Sequence, residues 1–218
     1  MPYNRETFNE EAEELTRNWS SGILADYQIV ELANIGMIEP FVPSLVSTGA
    51  EGIKALSYGL SSAGYDCRLD PLIKYAMPTG NRYMTMLDAK AQRQSDWEEA
   101  SVVLGKVAML PNVVYLGSSL EYFRLPKNIC AVCFGKSTYA RVGIHILTTP
   151  LEPEWEGNIT LEFVSLLNTP HDVAMNMLYV NEGIAQIQFH LMSGAPKVTY
   201  RDRRGKYQGQ TGITLSRV

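Results

Sequence analysis

The sequence predicts a mainly β domain, a barrel or sandwich of short strands with a short N-terminal helix. Three observations carry this. Short apolar stretches recur at residues 65–69, 102–104, 113–116, 129–134 and 159–164. Gly, Pro and Asn punctuate many of the intervals between them. In the last stretch the side chains alternate, with Ile159, Leu161 and Phe163 on one face and Thr160, Glu162 and Val164 on the other. At 218 residues and 45% hydrophobic, the chain is long enough to bury one sizeable core.

Taken in order, residues 1–22 read as a polar extension, partly helical at best. Asp26 is placed to cap a short helix running through Ile29, Val30 and Leu32 and stopped at Gly36. Pro40-Phe41-Val42-Pro43 follows as an extended turn. Residues 88–100 are charged and Gln-rich, as expected of an inserted loop or short helix. The main body is expected over 23–199. Residues 200–218, basic and then rich in Gly and Gln, are expected to form a flexible tail.

Charge and cysteine usage narrow the function. A net charge of −4 gives no global footprint for nucleic acid, although a local basic cluster would suffice for a small phosphorylated ligand. No apolar run approaches the roughly 20 residues of a membrane helix. The acidic N-terminus lacks an apolar signal core. A soluble, cytoplasmic protein with no membrane partner is the default expectation. Cys130 and Cys133 form a CxxC. A zinc-dependent nucleobase deaminase would also need H-x-E and a Pro before the first Cys. His145, His171 and His190 are not followed by that pattern, and Asn128-Ile129 precede Cys130. The expectation is therefore no catalytic zinc, and two buried thiols facing opposite sides of a strand.

Three segments offer chemistry. Gly135-Lys136-Ser137-Thr138-Tyr139-Ala140-Arg141 leaves an apolar strand and exposes hydroxyls and N–H groups beside a lysine. That suits an anion cradle, and equally a capped helix start; the spacing is not that of a P-loop. Glu162 sits mid-strand among apolar neighbours, after a loop shaped by Pro150, Pro153 and Gly157. A carboxyl buried there would be pushed toward neutrality, as proton transfer requires, whereas on a wet edge strand it would be a solvated carboxylate. Arg201, Arg203, Arg204 and Lys206 concentrate positive charge beside glycines, suiting a lid over polyphosphate or a solvated terminus.

Six short motifs in order complete the picture: SYGLSSAGYDCRL (57–69), EYFRLP (121–126), GKSTYARVGI (135–144), TPLEPEWEGNITLEF (149–163), NEGIAQ (181–186) and YRDRRGKYQGQTG (200–212). Together they resemble the dCTP deaminase family of the dUTPase-like superfamily. The resemblance spans about Ile23 to Leu215. It implies a distorted β-barrel or jelly-roll-like fold and a homotrimer with active sites where subunits meet. It implies water attack on C4 of cytosine in dCTP, with Glu162 as acid/base and Ser137 and Arg141 holding the water and the tetrahedral state. Lys136, Ser137, Thr138, Tyr139, Ala140 and Arg141 would contact phosphates. Thr160, Leu161 and Glu162 would lie against sugar and base, with Glu152 near the sugar hydroxyl. Gln186, Tyr200, Lys206 and Gln210 would hold the nucleotide as the tail closes. Mg2+ would travel on the triphosphate, and dTTP is a plausible feedback inhibitor by the same resemblance.

The sequence departs from the family at three places. Leu147 stands where a polar residue is expected near the base. Residues 149–151 lack the added Arg of some members, and 166–177 is longer than usual. Two other readings stay open: a dUTP pyrophosphatase or bifunctional enzyme forming dUMP, with Glu152 near the place of its water-activating Asp, and a non-catalytic nucleotide-sensing relative.

Overall fold

The computed structural model describes residues 3–49, 52–76, 88–147, 149–167 and 175–217. The N-terminal region, expected to be partly helical at best, contains a twelve-residue helix, α1 (Arg5–Thr16). The Asn4 side chain caps it by accepting from the N–H groups of Glu6 at 2.9 Å and Thr7 at 3.3 Å. Phe8 and Ala12, one turn apart, face the core and are buried. α2 (Asp26–Asn34) follows. Its cap is Ala25 rather than Asp26, and the Gln28 carboxamide reaches back to accept from the Ala25 N–H at 2.9 Å. Asp26 is the first helical residue, where a carboxylate suits the helix dipole.

The remainder is mostly strand. In chain order come β1 (Gly22–Ile23), β2 (Ile38–Glu39), β3 (Val46–Thr48), β4 (Lys54–Ser61), β5 (Gly64–Arg68) and β6 (Lys74–Ala76). Then follow β7 (Trp97–Glu99), β8 (Lys106–Met109), β9 (Val114–Arg124) and β10 (Ile129–Gly135). After a single helical turn, α3 (Ser137–Ala140), come β11 (Ile144–Leu147), β12 (Pro150–Leu151), β13 (Glu156–Ser165), β14 (Asn176–Tyr179) and β15 (Gly183–Leu191). One sheet runs β12-β10-β15-β5-β4-β3, with β1 added on β15. The second runs β11-β13-β9-β6-β7, with β2 added on β9, and β14 pairs with β8 apart from both. All of these pairings are antiparallel. The mainly β expectation holds.

The core explains the pattern. Ala131 and Cys133 of β10, Ile187 and Phe189 of β15, and Ile159, Leu161 and Phe163 of β13 join one cluster with Phe8 of α1 and Ile29 of α2. Alternation on β13 is as read, with Thr160, Glu162 and Val164 half-buried on the other face. Two sequence motifs meet through a buried ion pair. Arg68 Nε donates to Glu121 at 2.7 Å, the Arg68 N–H at 2.8 Å, and the Tyr65 hydroxyl at 3.3 Å. Burial pushes the Glu121 carboxyl up and outweighs the pull of Arg68.

Some local expectations fail. Residues 102–104 form no strand: Val103 makes an isolated bridge to Lys106, and Leu104 is 94% exposed at φ 50°. These apolar residues sit on a tight turn with no sheet to cover them. The 88–100 stretch is a turn and a 3-10 turn that ends in strand β7. Of the long 166–177 stretch, 168–174 lie outside the described residues. Cys133 is buried and Cys130 half-buried, on opposite faces of β10, and burial pushes the Cys133 thiol up to about 12. Among the described residues, no helix is long and apolar enough to cross a membrane.

Candidate active site

Glu162 lies mid-strand on β13, between β11 and β9 of the second sheet. Its register partners are Leu147 on β11 and Leu116 on β9. Flanked by leucines and half-buried, its carboxyl is pushed above the usual range by desolvation, only partly offset by its own backbone N–H. It opens into a cavity of about 950 Å³. Thr160 shares the floor, Val114 and Leu116 of β9 give an apolar wall, and Trp97 and Trp155 add aromatic surface.

The tail forms the roof. Tyr200, Arg203, Arg204 and Lys206 line the cavity, against which the acids Glu152 and Glu162 are set. Arg203 is ion-paired with Glu152. The Tyr200 hydroxyl accepts from the Tyr207 N–H at 3.0 Å, and the Trp155 indole donates to the Tyr207 carbonyl at 3.1 Å. Farther on, the tail lies along the start of β13. The Asn158 N–H donates to the Gln210 carbonyl at 3.0 Å, and Gln210 Nε2 to the Asn158 carbonyl at 2.7 Å. The Thr214 N–H donates to Thr160 Oγ1 at 3.1 Å. Ser216 then bonds Gln92 and the Ala89 carbonyl in the 88–100 segment. The tail is therefore a docked strap, not a free end.

Of the candidate site residues and tail cations singled out in the sequence, Glu152, Thr160, Glu162, Tyr200, Arg203, Arg204, Lys206 and Gln210 line this one cavity. The others do not. Lys136 is ion-paired with Asp66 and donates to Ser57 Oγ at 3.1 Å. Arg141 donates to Ser137 Oγ at 2.8 Å, and both are exposed with Thr138 and Ala140 on the surface at α3. Gln186 donates to Ser61 Oγ at 3.2 Å on the neighbouring sheet. Tyr139 is buried, its hydroxyl accepting from the Tyr179 N–H at 3.1 Å, and Leu161 is in the core. Trp97, Trp155 and Gln92 line the site without having been singled out for it. Trp97 and Gln92 lie in the 88–100 segment, expected as an inserted loop or short helix, and only the fold brings them to β13.

Among the described residues, no three His, Cys, Asp or Glu side chains gather as metal ligands. The cavity combines a single lifted carboxyl on its floor, an apolar wall and a cationic roof, which suits proton transfer on an uncharged ring carrying phosphates.

Known proteins resemble this chain over most of its length. A dCTP deaminase of Acinetobacter baylyi is 43% identical over 186 residues, covering 84% of this chain and 92% of the relative. A dCTP deaminase of Ectopseudomonas mendocina is 45% identical with the same coverage. The crystal structure of 2'-deoxycytidine 5'-triphosphate deaminase from Agrobacterium tumefaciens shares the fold at 17% identity and a TM-score of 0.52. That alignment covers 78% of this chain and 48% of the other. Residues 25–192 match the family described as dCTP deaminase-like, and on that match, reinforced by these relatives, the chain belongs to that family.

Proposed function

We propose that the protein is a dCTP deaminase, converting dCTP and water to dUTP and ammonia in the cytoplasmic nucleotide pool. The observation that carries this is Glu162, a desolvated carboxyl on a rigid strand at the floor of a cavity roofed by cations. Water attacks C4 of the cytosine. Glu162 takes one proton from that water as its oxygen bonds to C4 and passes it to the ring nitrogen; it then takes the proton of the new C4 hydroxyl and passes it to the amino group, which leaves as ammonia as the C4 carbonyl forms. A carboxyl of raised pKa is suited to both steps, since it holds a proton more readily than an ordinary carboxylate and can still release it. The apolar wall of Val114 and Leu116 excludes bulk water, which strengthens each interaction within. Arg203, Arg204 and Lys206 lie where a triphosphate would extend toward the tail. Mg2+ carried by the triphosphate fits this lining, which offers cations rather than a carboxylate cluster, and would neutralise phosphate charge.

Ser137 and Arg141 are already hydrogen-bonded to one another but lie outside the cavity of their own chain. A homotrimer, in which a neighbouring copy supplies the 136–141 segment to the Glu162 cavity, accounts for both facts. A dUTPase reading would place water activation on Glu152, whose side chain is 43% exposed, whereas the desolvated carboxyl of the cavity is Glu162. Incubation with dCTP and Mg2+, followed by separation of nucleotides, tests the proposal. Equal release of ammonia and dUTP is expected. Absence of both would overturn it, and dUMP with pyrophosphate would establish the bifunctional reaction.

A further inference from the structure

Helix α1 precedes the segment 25–192 that matches the family, yet it is bonded directly to the hairpin of the site. Arg5 is only 8% exposed. Its guanidinium donates to the Leu125 carbonyl at 3.0 Å and the Glu154 carbonyl at 2.7 Å, and lies 3.4 Å from the Glu156 carboxylate. Asn9 Nδ2 donates to the Glu154 carboxylate at 2.7 Å. A buried cation is tolerated only where such partners are in place, so α1 can dock only on a hairpin of this shape. Glu154 itself has φ 62°, an unfavourable backbone conformation for a residue with a Cβ.

The tail docks on the same hairpin and shares one of these acceptors. Gln208 Nε2 donates to the Glu154 carbonyl at 3.0 Å, and the Gly209 N–H to the Glu156 carbonyl at 2.9 Å. Trp155, between them, donates to Tyr207. One peptide carbonyl thus accepts from the N-terminal helix and from the strap over the cavity. We propose that Arg5 is a positioning residue: with Asn9 it fixes Glu154-Trp155-Glu156 in the conformation on which the tail closes, and so sets how firmly the nucleotide is covered. The catalytic part of this rests on the deaminase reading. The tail-docking part does not.

The test uses the full-length protein carrying Arg5→Ala or Asn9→Ala, checked for folding by circular dichroism. The first readout needs no nucleotide. Trypsin cleavage of the tail at Arg201, Arg203, Arg204 and Lys206, followed by intact mass, is expected to be several-fold faster in Arg5→Ala. The second is kinetic: KM for dCTP with Mg2+ rises about tenfold, the change expected for one charge-assisted hydrogen bond, while kcat stays within about twofold. Arg5→Lys, which keeps the charge but not the planar fork, is expected to fall between. A lower melting temperature with tail cleavage and KM at wild-type values would reduce α1 to a stabilising brace and overturn the proposal. If Arg5→Ala does not fold, Asn9→Ala decides alone, since it removes a single bond to the same Glu154; unchanged tail cleavage there overturns the proposal. A wild-type protein inactive on dCTP would refute the deaminase reading and leave the cleavage result to judge the positioning role.

Discussion

Glu162 meets two requirements that pull against each other: ionised, it can take a proton, yet its leucine neighbours favour the neutral acid. Because burial raises its pKa, the folded state holds the proton more tightly than the unfolded chain does. The stability this lends is complete below the ordinary carboxylate pKa and is lost as pH rises through the raised one. Glu162→Gln cannot ionise. Thermal melts should show it gaining on the wild type as pH moves from acid to neutral. The same variant should bind dCTP yet lose about 10²–10⁴ in turnover, as single-turnover product analysis would show. Glu121 illustrates the opposite use of a buried carboxyl. It is fully buried, bonded to Arg68 and Tyr65, and remote in role from the cavity. Removing it strands a largely buried guanidinium, so Glu121→Ala should cost about 3–5 kcal/mol in urea unfolding.

Among the elements, β13 does most to join fold to site, because one face enters the core while the other carries Thr160 and Glu162. Its first residues also receive the tail. Gly157 has φ 152°, and a Cβ there would lie 2.8 Å from the Gln210 carbonyl. Gly157→Ala should therefore lift the tail off β13 and raise KM several-fold with little change in far-UV circular dichroism. β13 is legible in the sequence because it alternates apolar and polar residues, and β10 because it is a short continuous apolar run bounded by Pro126 and Gly135. Residues 102–104 misled because their apolar side chains sit on an uncovered turn, which no local pattern reveals. α1 is hard to read for the converse reason: its buried apolar residues are only Phe8 and Ala12, its other buried side chains, Arg5 and Thr16, are polar, and glutamates occupy much of the rest. At the site, Glu162 was identifiable from its strand position and its motif. The contacts Arg203–Glu152 and Ser216–Gln92 join distant positions and depend on tertiary closure alone.

For the whole molecule, one chain holds the acid/base in its cavity and displays Ser137 and Arg141 elsewhere. If a neighbouring copy completes each site, two inactive variants should complement. Mixing Glu162→Gln with Ser137→Ala under conditions of subunit exchange should restore about a quarter of wild-type activity, because random assembly pairs the two intact halves in that fraction of sites. Recovery of none would place both residues in one chain's site. The indole of Trp155 ends its hydrogen bond on the backbone of Tyr207, so the strap's position is written into the environment of a native chromophore. Lifting the strap wets that indole and should redden its fluorescence emission. Opening and closing can then be timed by stopped flow in the unlabelled protein.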